Sequence, residues 1–160
     1  TQTEQSFALP LAGPEPVVSI NRGFTAPVDI ARLLPREDLV FLAAHDDDPF
    51  ARAEALQELS VEHLVAAAEG ALAPTEQAAG EAAIIGAFAS ALADAALDDA
   101  MRGELMVLPS ETYLFEAMAR GTRLADPGAI HAAREGLKRA IGTALSSELN
   151  ALHARASTVA

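Results

Sequence analysis

Asp48-Pro49-Phe50-Ala51-Arg52 and Asp126-Pro127-Gly128-Ala129-Ile130 each set an Asp-Pro pair at the head of a long alanine-rich run. Asp at an N-cap accepts a hydrogen bond from backbone N–H groups that have no partner inside the helix. Pro at the first helical position loses nothing by lacking its own N–H. Two helix starts are therefore written into the chain, and the rest of the helical pattern is read outward from them.

The run from Pro49 to about Gly70 carries apolar residues at Phe50, Ala53, Leu56, Leu59 and Leu64, and Gly70–Pro74 breaks it. Before it, Arg36–His45 makes a short helix with Leu39, Val40, Leu42 and Ala43 inward. After it, a third helix starts near Thr75, with Ile84, Ile85, Phe88 and Leu92 at helical spacing. Asp98–Leu108 gives a fourth, ended by Pro109. Ser110, with Glu111 behind it, opens a fifth carrying Tyr113, Leu114 and Met118. The sixth runs from Asp126 to about Ala156, with a stripe at Ile130, Ala133, Leu137, Ile141, Leu145, Leu149 and Leu152. Short connections put successive helices antiparallel.

Residues 1–31 read differently. Thr3, Gln5, Phe7 and Leu9 share one parity, and Val17, Val18 and Ile20 form a β-prone run behind Pro10, Gly13, Pro14 and Pro16. Two or three short strands fit, too few to bury both faces of a sheet. The expected fold is mainly α: an antiparallel helical array, either α-α superhelix or bundle, preceded by two or three short β-strands. The last helix has an apolar face with nothing after it, and the chain starts at Thr1 rather than Met. An incomplete array and an excised piece of a longer chain are expected.

At 160 residues the chain has room for one ordinary domain, and 51% apolar residues can supply its core. About a quarter of the residues are Ala, which favours helix and buries little area each. The net charge is −12. Such a surface repels phosphate, so nucleic acid and anionic membrane are not expected partners. No Cys means no disulfide, thiolate ligand or Cys nucleophile. No apolar run reaches the ~20 residues of a membrane span, and the polar start lacks a signal-peptide pattern. The expected compartment is the cytoplasm.

No catalytic constellation can be assembled. His45, His63, His131 and His153 never stand four apart, and none is followed by Glu, so the His-Glu-x-x-His zinc pattern is missing. His131 and Glu135 are spaced to share a cation, but two ligands do not make a site and a helix-surface pair is the simpler reading. Asp46-Asp47-Asp48 invites a metal, yet Pro49-Phe50 denies the Gly turn of a calcium loop, and capping accounts at least for Asp48. Ser60, Ser110, Ser146 and Ser147 lack a Gly-x-Ser-x-Gly setting. Gly80, Gly86 and Gly103 stand singly in helices, as marks of close helix contact rather than a phosphate loop. Arg134, Lys138 and Arg139 sit beside Glu135 and Glu148 as a salt-bridged surface. Tyr113 and Phe115 read as core. The expectation is no catalytic, cofactor-binding or metal residue.

Four segments in order resemble one family. Ser19-Ile20-Asn21-Arg22-Gly23-Phe24-Thr25-Ala26-Pro27-Val28 resembles the last strands of the β-sandwich domain in M1-family zinc aminopeptidases of the bacterial aminopeptidase N type. Phe41 through Ala55 resembles the start of their C-terminal helical domain, with Ala53 where the family usually has Trp. Leu108-Pro109-Ser110-Glu111 and Asp126 through Leu137 match the same domain further on. The resemblance implies residues 1–31 as the tail of the sandwich and 32–160 as the first part of the helical domain. It implies zinc, its ligands and the Gly-x-Met-Glu-Asn substrate grip on an upstream catalytic domain, so none transfers to a residue here. The implied role is to help cap the cavity in which the intact enzyme removes N-terminal residues from peptides. The alternative is a free-standing helical interaction module. Either way, uncovered helix faces and strand edges lead to an expectation of self-association.

Overall fold

The computed structural model describes residues 6, 16–27, 34–120 and 124–157. Its helices are α1 (Arg36–His45), α2 (Pro49–Ala68), α3 (Pro74–Ala93), α4 (Asp99–Leu105), α5 (Glu111–Arg120), α6 (Pro127–Ala144) and α7 (Ser146–Ala156). A short 3-10 turn, Arg22–Phe24, precedes them. The helical array is as expected, but the described residues contain no strand. Val17, Val18 and Ile20 lie in irregular backbone, because a β-prone run becomes a strand only where another backbone completes its ladder. Thr3, Gln5, Phe7 and Leu9 lie outside the described residues.

Both Asp-Pro starts behave as their chemistry dictates. Asp48 accepts from the Ala51 N–H at 2.8 Å, and Asp126 from the Gly128 N–H at 2.8 Å. Asp98 and Ser110 cap α4 and α5 in the same way, accepting from the N–H groups of Met101 and Tyr113. At the far end of α2, Gly70 takes φ +65°. There the Gly70 N–H reaches the Ala67 carbonyl and the Ala71 N–H the Ala66 carbonyl, closing the last turn.

α2 is the hub, packing against α1, α3, α4, α5 and α6. Leu56, Leu59 and Leu64 from α2 meet Leu39 of α1, Phe88 of α3, Leu114 of α5 and Leu137 of α6 in one core. Burying each such side chain is worth roughly 1.5–3 kcal/mol.

Three details depart from the sequence reading. α4 ends at Leu105, leaving Val107–Ser110 as a connector that brings Leu108 into the core. The expected sixth helix is two: Leu145, at φ −109° and ψ 22°, separates α6 from α7 beside Ser146-Ser147. A Ser pair is a common place for a helix to bend, since hydroxyls compete for backbone partners. Phe50, read as one of the apolar positions of α2, is 48% exposed.

Candidate functional site

A cleft of about 620 Å³ lies between α2 and the Val107–Tyr113 stretch. Glu54, Glu58 and Glu62 stand four residues apart and so share one face of α2, forming an acidic wall. Val61, Val107, Leu108, Pro109 and Tyr113 give the apolar part, and Gln57 donates to the Val107 carbonyl across it. Ser110 opens onto the cleft, but its hydroxyl accepts from the Tyr113 N–H as a helix cap. Among the described residues no histidine lines the space. The cleft can receive an amide or a cation beside an apolar group; it has no nucleophile–base pair. Tyr113 and Phe115, expected in the core, are 50% and 45% exposed, because α5 turns Leu114 and Met118 inward instead. Arg120 lies over the Tyr113 ring.

All three carboxylates of Asp46-Asp47-Asp48 are engaged by protein groups. Asp46 accepts from Arg22 at 2.9 Å and from the Asp48 N–H. Asp47 pairs with the other arm of Arg22, which holds its carboxyl below the usual range. Asp48 caps α2 with one oxygen and accepts from the Gly23 N–H with the other at 2.7 Å. The capping reading stands, extended by a partner that sequence spacing did not reveal.

Buried polar groups lie at two helix junctions. Arg52, 3% exposed, donates to the Ala43 carbonyl, to Asp94 at 2.8 Å and to Ser90 at 3.1 Å, tying α1, α2 and α3 together. The Ala96 N–H and Arg52 both lower the Asp94 pKa. Arg102 extends the junction by donating to the Asp94 carbonyl and to Asp99. His63, 2% exposed, packs against Gly80 of α3 so closely that a Cβ there would lie 2.4 Å from Nδ1. Its Nε2 has no hydrogen-bond partner. Burial pushes its pKa down, Arg36 adds to the effect and Glu81 opposes it. Gly80 is thus a close-contact glycine as expected, whereas Gly86 and Gly103 face open space.

His131 stands near enough to Glu135 to help lower its pKa, but its direct partner is elsewhere. Its Nδ1 lies 2.8 Å from Glu111 on α5, while Glu135 meets Lys138 and Arg134. Lys138 foremost lowers the Glu135 pKa. Arg134 also donates to the Pro109 carbonyl, fixing the connector beside the cleft. Glu148 accepts from Ser147 rather than meeting the basic group. The four histidines sit on four different helices. Among the described residues no group of three or more His, Cys, Asp or Glu side chains could hold a metal ion. No helix there is long and apolar enough to cross a membrane.

A family model described as a domain of unknown function (DUF3458_C) with ARM repeats matches residues 36–160. The chain belongs to the DUF3458_C family. This DUF3458_C chain is 39% identical over 141 residues to Aminopeptidase N of Caulobacter vibrioides, covering 86% of the chain and 15% of that relative. It is 30% identical over 158 residues to Aminopeptidase N of Escherichia coli, covering 96% of the chain and 17% of the relative. The crystal structure of Legionella pneumophila aminopeptidase A in complex with aspartic acid superposes with a TM-score of 0.65 at 24% identity. That match covers 86% of the chain and 15% of the neighbour, a likeness of fold. The chain thus spans about one sixth of the length of the curated relatives it matches, and the resemblance to the helical part of aminopeptidase N is shown, whereas the described part of residues 19–28 forms no strand.

Proposed function

We propose that this chain is a non-catalytic helical part of an M1-type zinc aminopeptidase, one that removes N-terminal residues from peptides. Residues 32–160 form the first part of its C-terminal helical domain, and residues 1–31 the end of the preceding domain. The observation that carries this is the Caulobacter match, which runs through 86% of the chain at 39% identity yet takes up only 15% of the relative. The chemistry then belongs to the remainder. The donor set here does not fit zinc: His63 is packed against Gly80, and His131 is held by Glu111. Zinc and the catalytic groups are therefore assigned to an upstream domain, which is also the partner of this one. The helices help to cap that domain's cavity in the cytoplasm, limiting which peptides enter.

The test has two arms. A chimera carrying residues 36–160 of this chain in place of the matching span of the Caulobacter relative should hydrolyse alanyl-p-nitroanilide with zinc, and this chain alone should not. Zinc-dependent turnover by the chain alone defeats the proposal. Removing the span from the relative should raise turnover of long peptides relative to the small chromogenic substrate. An unchanged ratio in a soluble, zinc-loaded protein defeats the capping role.

A further inference from the structure

The turn before the helices is built unlike the rest of the molecule. Asn21, Gly23 and Phe24 have φ of 53°, 66° and 50°, the left-handed region that costs a residue with a side chain. An aromatic residue stays there only where its surroundings over-determine it. The turn is closed on itself by Asn21, whose amide donates to the Ala26 carbonyl at 3.1 Å and accepts from the Ala26 N–H at 3.2 Å. Among the described residues, its side-chain and N–H contacts beyond itself meet one place, the corner between α1 and α2. Arg22 spans Asp46 and Asp47, the Gly23 N–H donates to Asp48, and the Phe24 ring stacks on Phe50 with centroids 6.4 Å apart.

These contacts are coupled through shared atoms. The Asp46 side chain is buried, and the same oxygen that takes Arg22 takes the Asp48 N–H. Asp48 serves the α2 N-terminus with one oxygen and Gly23 with the other. The turn therefore docks on groups that are already fixed by the helix start. Among the described residues, its own half of the interface rests on the Arg22 side chain, the Gly23 N–H and the Phe24 ring.

We infer that Asn21–Ala26 is a latch: docked, the turn is held rigidly on the corner between α1 and α2, and it lets go as a unit while the helices stay folded. Local openings of this kind occur where few buried apolar contacts hold a segment and its polar contacts reach solvent. Phe24 and Phe50 are 57% and 48% exposed, and the Asp47 side chain lies in water. Salt screens the Arg22–Asp47 contact and favours release.

Trypsin reads the latch directly, because Arg22 cannot enter a protease pocket while it holds two carboxylates. In the 160-residue chain, cleavage at Arg22–Gly23 should be slow, and in Asp47→Asn and Asp46→Asn it should be at least about tenfold faster, the mark of a shifted opening equilibrium. Amide exchange is read alongside. The Gly23 N–H should lose protection in both variants while the amides of α2 and α3 keep theirs. Arg22→Gln, which trypsin cannot cut at that position, should give the same exchange pattern. Unchanged cleavage and unchanged Gly23 protection in Asp47→Asn overturn the latch. So does a loss of protection in α2 and α3 that parallels the loss at Gly23, because the turn would then be one with the global fold.

Discussion

Gly80 is where one methyl group decides how three helices approach. A Cβ would lie 2.4 and 2.8 Å from two atoms of His63 and 2.9 Å from Arg36. Gly80→Ala gains up to about 1 kcal/mol of helix propensity and loses about 1–3 kcal/mol to overpacking, so a net fall in stability is expected. A lower urea midpoint with unchanged slope checks it. His63 itself sets a pH dependence. Its pKa is lowered on folding from an ordinary value of 6.5, with Arg36, Glu62, Glu81 and Gly80 around it. The unfolded chain thus takes up this proton first, and stability is lost as pH falls through that value. His63→Gln should flatten the stability curve between about pH 7 and 5.5, above the range where Asp94 and Glu135 titrate. Identical curves for the two proteins would refute it. Arg52→Met should lower the thermal midpoint more than Arg22→Ala, since Arg52 is buried at a three-helix junction and Arg22 is half in solvent.

Elements were legible in proportion to how local their causes are. Asp48, Asp98, Ser110 and Asp126 cap the helices they were read to start, because an N-cap is a contact between near neighbours. What failed were judgements that need a distant partner. Val17, Val18 and Ile20 have the side chains of a strand but no ladder, and Tyr113 and Phe115 have core chemistry on the outer face of α5. Arg52 stood in plain view between Ala51 and Ala53, yet nothing in its spacing announced partners on α1 and α3. The engagement of Asp46-Asp47-Asp48 was half legible. The helix capped by Asp48 followed from Pro49, but Arg22 lies 24 residues away from its first partner. Asp126→Ala should cost about 0.5–2 kcal/mol, and Asp48→Ala more, because it also releases Gly23. Chemical denaturation of the two variants side by side decides the order.

On the scale of the whole molecule, apolar side chains remain outside on more than one face. Phe41, Phe50, Phe24, Val107, Tyr113 and Phe115 are each about half exposed or more. Self-association into dimers or larger species is the expected consequence, opposed by the repulsion of a −12 net charge. Light scattering at rising protein and salt concentration should therefore report growing mass. A single unchanging mass equal to one chain counts against it.

α7 contributes no fully buried residue: Leu149 packs part-buried against the core, and Arg155 reaches Asp99 at 3.4 Å. Eleven residues are too few for a helix to persist on propensity alone in water. Heating should unwind this end ahead of the main transition, so circular dichroism at 222 nm would slope steadily upward below the melting temperature. Calorimetry, which weighs heat rather than helix, would record that prelude as a shallow shoulder on the peak given by α1 through α6.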